Sequence, residues 1–550
     1  MKRMTRCIAW LLAVCLLAGG CTAAPPTKLP ETTASEPAEV WEAGYISTFA
    51  QEVSYGDAGG NPLGTLLRGT LVEYQTGADG RAELCINGER VYLLDQDTRI
   101  VADPADIIPA HTRYVRTAVN LRDADGRLLP AFAEKGTAVE VTGCDRLTVD
   151  GGVHMYQVRF GEEAGYIAPW YLSEQVPDTA VDAVHAGRSD RYGGGGAADL
   201  DYHPREKGPI EGNEMPDECR TLYIVSWRLD EVDAYLEIAA KSGINAFVVD
   251  ILDGGSVGYA GDVMAQNCPS AVEAAHHTVE EYRTAIKKLK DAGYYVIGRI
   301  TTFNDTYFVQ DHPEYAIAKP SGEPRKLASA YWPSPYSRAA WQYKVDLAVE
   351  AVEWMGFNEI QFDYVRFPDN TRKYEKAGTI DFRNTYGESK AQAVQRFLMY
   401  ASDILHEHGA YVSADVYGES AFTYVTAYGQ YWPAISNVVD VISGMPYPDH
   451  FGASGSWKPW QHPYETLLSW GQCVVQRQGE TATPAAVRTW IQAYNAIREP
   501  YTTYGPDQVF AQIRGLRDAG CTGGYMTWNA GSSLDKYTWL MPAFTPAPEG

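Results

Sequence analysis

The strongest constraint on this fold is a rhythm. From Arg220 onward, short apolar runs rich in Val, Ile, Tyr and Phe alternate with longer segments of helical character, and eight such runs can be counted. They are Leu222 to Trp227, Ala246 to Leu252, Tyr295 to Thr301, Glu359 to Phe367, Tyr411 to Tyr417, Val438 to Met445, Thr489 to Tyr494 and Gly524 to Trp528. The segments between them predict helices at Asp230 to Ser242, Thr278 to Ala292, Ser337 to Met355, Lys390 to Glu407, Pro463 to Gln478 and Pro506 to Ala519. Gly243, Gly293, Gly356, Gly409 and Gly520 stand where helices should stop. This alternation predicts an α/β chain whose strands close into a (β/α)8 TIM barrel with enlarged loops, at roughly the length typical of that fold. An open doubly wound sheet is the competing arrangement.

One run carries more than hydrophobicity. In Gly356-Phe357-Asn358-Glu359-Ile360-Gln361-Phe362-Asp363-Tyr364-Val365-Arg366-Phe367-Pro368, side chains alternate with period two, so Ile360, Phe362 and Tyr364 share one side and Gln361 and Asp363 the other. A carboxylate therefore stands near the carboxyl end of the fourth strand. In a parallel barrel, that end is where catalytic groups are kept.

The front of the chain is of another kind. Met1 to Arg6 carry three positive charges and Cys7 to Leu17 are apolar, the layout of a signal peptide over residues 1–20. The apolar stretch is short of the roughly 20 residues a membrane span needs. Leu16-Leu17-Ala18-Gly19-Gly20-Cys21 resembles a bacterial lipobox, which implies lipidation of Cys21 and an extracytoplasmic protein anchored to the cell membrane. Residues 21–40, with four prolines in Thr22 to Val40 and little apolar bulk, read as a flexible tether.

Between tether and barrel lies an internal repeat. Tyr45-Ile46-Ser47-Thr48 and Lys-free Gly69-Thr70-Leu71-Val72-Glu73 return about 69 residues later as Tyr114-Val115-Arg116-Thr117 and Lys135-Gly136-Thr137-Ala138-Val139-Glu140. With Asn120-Leu121-Arg122 and Gly165-Tyr166-Ile167, the second copy resembles the bacterial SH3-like domain, a small all-β barrel. The first copy lacks Asn-Leu-Arg and is the divergent member. The expected order is thus two SH3-like domains, 41–108 and 109–175, a linker over 176–218, and the barrel over 219–550. The resemblance implies cell-wall peptidoglycan as a ligand; a spacer role is the alternative.

A net charge of -24 argues against nucleic acid as a partner and favours a neutral ligand, and the 37 Tyr and 14 Trp suit sugar faces. Cys85, Cys144, Cys219, Cys268, Cys473 and Cys521 lack the close spacing of zinc or redox motifs. No His-Glu-x-x-His, Gly-x-Ser-x-Gly or phosphate-loop pattern is present, so no metal and no cofactor is expected.

Four segments, Gly243 to Asp250, Ile297 to Asp305, Gly356 to Pro368 and Val412-Ser413-Ala414-Asp415-Val416-Tyr417-Gly418, resemble a bacterial family of glycoside hydrolase-like domains distantly similar to the alpha-amylase type of barrel. The likeness runs from about Cys219 to Trp539. Glycosidic cleavage needs one carboxyl group to protonate the leaving oxygen and another to attack or to activate water. Asp363 on strand four and Asp415 on strand five supply such a pair, with Glu419 just beyond strand five as the competitor for the second place. The resemblance implies a retaining hydrolase of a poly- or oligosaccharide, with Asp363 as nucleophile and Asp415 or Glu419 as acid/base. Arg299, a charge in an apolar strand, needs a buried partner, and Asp363 on the adjacent strand is the natural one. Asp250, Asn304, Asp305, Tyr364, Arg366, Tyr417, Tyr447, Trp528 and Asn529 complete a rim of expected substrate-binding groups. The alternative is a non-catalytic glycan or cell-wall binding protein on the same scaffold.

Overall fold

The computed structural model describes residues 40–545 apart from 189 and 191. The expected signal peptide, Cys21 and nearly all of the tether lie outside the described residues. Among the described residues, no helix is long and apolar enough to cross a membrane. The chain forms two compact units that meet in sequence at Ile107 and Ile108.

The first unit is a seven-stranded antiparallel sheet built from Glu42–Ser47, Glu52–Gly56, Pro62–Leu67, Leu71–Thr76, Ala82–Ile86, Glu89–Leu93 and Arg99–Val101. Ile46, Val53, Val72, Leu84, Val91 and Leu93 form its core. The second unit opens with another seven-stranded sheet, and its strands follow the same spatial order, 3-2-6-5-4-1-7 when each sheet is numbered from its own first strand. The repeat in sequence is thus a repeat in topology. Its Gly-Thr turn shows why the motif recurs: Gly69 and Gly136 both take positive φ, 78° and 86°, and each amide bonds back to the first strand, at Ile46 and Val115.

The barrel strands are Cys219–Ile224, Ala246–Asp253, Tyr295–Thr301, Glu359–Asp363, Tyr411–Tyr417, Val441–Met445, a seventh in two pieces, and Gly524–Trp528. Consecutive strands pair in parallel, and the eighth returns to the first. Strand seven is split around Arg488: Ala486–Val487 pairs with strand six and Thr489–Gln492 with strand eight. The result is a near-closed parallel barrel. Arg488, at the break in strand seven, meets Glu359 of strand four at 2.8 Å, an ion pair buried inside the barrel.

Helices Val279–Asp291, Arg338–Met355, Lys390–Glu407, Pro463–Gln478 and Pro506–Ala519 cover the outside. Each lays an apolar stripe on the strands. Leu398 and Phe397 of the fourth expected helix are fully buried, and burial of each such side chain contributes about 1.5–3 kcal/mol. Gly356 and Gly520 end their helices in the left-handed conformation, at φ 75° and 96°.

Several strand bounds differ from expectation. Strand four ends at Asp363 because Tyr364 swings to φ 49° and turns the chain out of the sheet. Strand six starts at Val441 because Trp432–Ser436 is a short helix directly before it. Strand one ends at Ile224, since Ser226–Glu231 winds into a 3-10 turn.

The stretch read as a linker is packed on the barrel. Lys207 Nζ donates to the carbonyls of Ser436 and Thr483, both at 2.6 Å, and Asn213 Nδ2 donates to those of Asn358 and Gly409. The second sheet is docked too. Arg122, Arg205 and the Tyr171 hydroxyl converge on Asp403 of helix Lys390–Glu407, at 2.6, 2.6 and 2.9 Å.

Candidate active site

Inward-facing positions at the carboxyl ends of strands two to five carry charge, and they are organised by one cation. Arg299 sits at the inner face of strand three, 1 % exposed. Its Nη1 donates to Asp250 Oδ1 at 2.7 Å and lies 3.4 Å from Asp253 Oδ1. Its Nη2 donates to Asp363 Oδ2 at 2.5 Å, and its Nε stands 3.9 Å from Asp415 Oδ2. Four carboxylates thus surround a single guanidinium. Burial works against the charge of Arg299, but Asp253, Asp363 and Asp250 outweigh it and hold the group firmly protonated.

The carboxylates differ in what else holds them. Asp363 Oδ1 accepts the amide of Tyr364 at 2.6 Å, a bond made by the positive-φ turn that ends strand four. Asp415 Oδ1 accepts the indole N–H of Trp490, reaching from strand seven at 2.8 Å, while Oδ2 has no hydrogen-bond partner. Burial pushes the Asp415 carboxyl well above the usual range and the charge of Asp363 adds to the push; Arg299 and Trp490 oppose it. Burial likewise lifts Asp250, to about 7, against the pull of Arg299 and of the Tyr223 hydroxyl that binds its second oxygen.

Asp363 and Asp415 stand level. Strands four and five pair Gln361 with Ser413 and Phe362 with Ala414, so the next step brings the two acids side by side on the inner face. They are also buried, at 6 % and 1 % exposure. Glu419 lies beyond strand five in the 3-10 turn Gly418–Ala421; it is half-buried and accepts the hydroxyls of Tyr424 and Tyr428 at 2.9 and 2.6 Å.

The expected rim is brought together in part. Arg366 donates to the Tyr417 hydroxyl at 2.7 Å and lies against the rings of Tyr417 and Tyr364, 4.4 and 4.9 Å from their centroids. Trp528 packs on Tyr223 at 4.9 Å and lies 5.5 Å from the Arg299 guanidinium. Tyr447 belongs to the barrel core, and burial raises its hydroxyl, with Tyr494, Asp415 and Asp363 adding to the effect. Asn304 is half-buried in the turn after strand three, and Asn529 is buried with its amide nitrogen unbonded.

Two of the expected binding residues are engaged within the protein. Asp250 is fully buried with both oxygens bonded, by Arg299 and Tyr223, so it braces Arg299. Asp305 caps helix Thr306–Asp311 through the amide of Phe308 and binds Lys344 at 2.6 Å, both groups being buried. Its local sequence, Asn-Asp-Thr before an apolar stretch, is a helix-start signal.

Asp253, Tyr223 and Trp490 are site residues that the sequence reading missed. An irregularity in the pairing of strands two and three, between Asp250 and Leu252, brings Asp253 round to the same guanidinium. Trp490 was readable in principle, since it is an inward position of strand seven.

Among the described residues, no group of three or more His, Cys, Asp or Glu side chains could hold a metal ion. A cavity of about 760 Å³ lies at the opposite end of the barrel, against Lys207, Tyr411, Asp440 and Ala486. Two of its charged groups are engaged structurally, Lys207 by the Ser436 and Thr483 carbonyls and Asp440 by His406 and the Val412 amide.

No curated protein matches the chain. Among solved structures it is similar to a hypothetical protein from Ruminiclostridium thermocellum ATCC 27405, at 33% identity over 36% of this chain and 97% of that one, with a TM-score of 0.30. It is similar to the PgaB (BpsB) glycoside hydrolase domain from Bordetella bronchiseptica, at 14% identity over 59% and 99% of the two chains, with a TM-score of 0.43. A beta-N-acetylhexosaminidase aligns at 11% identity over 60% and 72%, with a TM-score of 0.40. Residues 221–534, more than half of the chain, match the family described as "Putative glycosyl hydrolase domain", and the chain belongs to that family.

Proposed function

We propose that this protein is an extracytoplasmic, lipid-anchored glycoside hydrolase acting on a poly- or oligosaccharide, with Asp363 as the attacking carboxylate and Asp415 as the proton donor. The observation that carries the reading is the level pair of acids on adjacent strands, one in contact with Arg299 and the other held toward its neutral form by burial. Neighbouring strands lie about 4.7–4.9 Å apart. Carboxyl groups roughly 5–5.5 Å apart belong to enzymes that retain anomeric configuration, and in a retaining course Asp363 would carry a covalent glycosyl intermediate. In that sequence Asp415 protonates the leaving oxygen as Asp363 attacks the anomeric carbon, and then takes a proton from the water that hydrolyses the ester. A second reading gives the acid/base role to Glu419, favoured by its greater exposure to solvent.

The small sheets divide the remaining roles. In the second, Asn120 accepts from Arg338 at 2.8 Å and Arg122 is spent on Asp403, so its Asn-Leu-Arg motif serves docking on the barrel. Peptidoglycan contact, if made by an SH3-like module, falls to the first copy.

The purified protein, assayed on a panel of glycans and peptidoglycan fragments, is expected to cleave at least one. Asp363→Asn should lower turnover by several orders of magnitude while binding survives. Full activity of that variant would refute the two-carboxylate mechanism, and binding without cleavage by the wild type would favour the glycan-binding alternative. Cys21→Ala should move the protein from the membrane fraction to the medium.

A further inference from the structure

The inner wall of the barrel behind Asp415 is polar and unsatisfied. Asp415 Oδ2, Arg299 Nε, Gln361 Oε1, Ser413 Oγ and Ser443 Oγ are buried and have no hydrogen-bond partner among protein atoms. They are neighbours by register: Gln361 pairs with Ser413 across strands four and five, and Asp415 with Ser443 across strands five and six. Gln361 also reaches across the interior, its Nε2 lying 3.3 Å from Met526 Sδ on strand eight. Buried polar atoms left unpaired cost about 1–3 kcal/mol each, and so many in one place are not tolerated in a dry interior. The gap between Arg299 Nε and Asp415 Oδ2, at 3.9 Å, is too long for a direct hydrogen bond and suits a bridge.

We propose that the barrel encloses a buried hydration site behind Asp415, walled by Gln361, Ser413, Ser443 and Arg299 Nε, whose water donates to Asp415 Oδ2. One water can bond two to four polar groups, and this wall offers five polar atoms of mixed donor and acceptor character. The groups that face Asp415 are Arg299 from strand three, Asp363, Gln361 and the deeper Glu359 from strand four, Ser443 and Tyr447 from strand six and its loop, and Trp490 from strand seven. Against that background, a water bonded to Oδ2 stabilises the ionised form and keeps the acid able to give up its proton. Ser443 and Gln361 are therefore positioning residues, acting on Asp415 through water. The catalytic meaning of the site rests on Asp415 as proton donor; its existence does not.

The test needs no substrate. A crystal structure of the wild-type protein should show ordered water within hydrogen-bond distance of Asp415 Oδ2 and of Ser443 Oγ or Gln361 Oε1. Infrared titration of the Asp415 carboxyl, taken as the difference from Asp415→Asn, should place its ionisation about one pH unit higher in Ser443→Val, where two methyls stand in place of the hydroxyl and a hydrogen. Ser443→Thr, which keeps the hydroxyl, should restore the wild-type value. If Ser443→Val does not fold, Gln361→Met makes the same test from strand four. A dry wild-type interior with these atoms bonded to one another, or an ionisation pH unmoved by the variants that fold, overturns the proposal. Because neither readout involves glycan cleavage, failure here is distinct from failure of the hydrolase reading.

Discussion

Trp490 donates its indole N–H to Asp415 across the barrel interior, from strand seven to strand five, at 2.8 Å. The bond is one of the forces that pull the Asp415 carboxyl back from the high value burial imposes. Trp490→Phe keeps most of the ring and removes the donor. If Asp415 is the proton donor, activity falls as pH rises through its ionisation, so this variant should move the alkaline limb of the kcat/KM profile upward, by about one pH unit. An alkaline limb that stays in place would take the acid role away from Asp415 and give weight to Glu419.

The same group should make the protein less stable as pH rises. In the folded state the Asp415 carboxyl ionises well above 3.8, its ordinary value, so above that pH the native state holds a proton the unfolded chain has released. Stability then declines with increasing pH from about 4. Asp250 acts in the same sense up to about 7. Asp415→Asn removes one of the two contributions without changing shape, so its Tm should approach and then exceed that of the wild type as pH rises, with a gap on the order of 2 °C near neutrality. Parallel Tm curves between pH 4 and 8 would count against a buried, proton-retaining acid.

The barrel and its helices were legible because each strand announces itself. Ala246 to Leu252 and Tyr295 to Thr301 are continuous apolar runs, as strands covered on both faces require, and Gly356 and Gly520 do end helices. Arg299 was legible as a charge that needed a partner, and Asp363 is that partner. What stayed hidden depended on departures from period two. Asp253 has the wrong parity for the Asp250 face until the pairing irregularity shifts it, and the break at Arg488 divides a strand that looks continuous. The docking of residues 176–218 was hard to read for another reason: its apolar residues are scattered among Pro and Gly without a period, yet Ala197, Leu200 and Tyr202 pack with Ala391, Val425, Tyr431 and Ala434, and Lys207 and Asn213 add hydrogen bonds to backbone carbonyls.

Tyr364 gives a test of strain at the site. A bulky side chain at φ 49° costs roughly 1–2 kcal/mol relative to the right-handed regions, and glycine does not incur that cost. The turn is retained here because it aims the Tyr364 amide at Asp363 Oδ1 and lays the ring against Arg366 and Trp332. Elsewhere in a fold, glycine is usually the less stable choice than alanine. At this position Tyr364→Gly should be more stable than Tyr364→Ala by about 1 kcal/mol in urea unfolding, while both lose activity. The usual order, alanine above glycine, would show that the left-handed turn is not kept in solution.

Asp403 decides whether the barrel can stand without the second sheet. Its side chain is 8 % exposed, and the two arginines on it, Arg122 from the sheet and Arg205 from the connecting stretch, are 4 % and 9 % exposed. Removing one partner of a buried ion pair strands the other charge and costs about 3–5 kcal/mol. Asp403→Asn should therefore destabilise the unit by that order, and hydrogen exchange should rise first in the second sheet and in residues 176–218, ahead of the barrel strands. By the same physics, a fragment beginning at Ile108 should unfold cooperatively. One beginning at Cys219 leaves Asp403 without Arg122, Arg205 and Tyr171, and it uncovers Tyr411, whose hydroxyl accepts the Ile210 amide. That shorter fragment should be poorly soluble or melt at a markedly lower temperature. Equal melting temperatures for the two fragments would show that the docked sheet contributes nothing to the stability of the barrel.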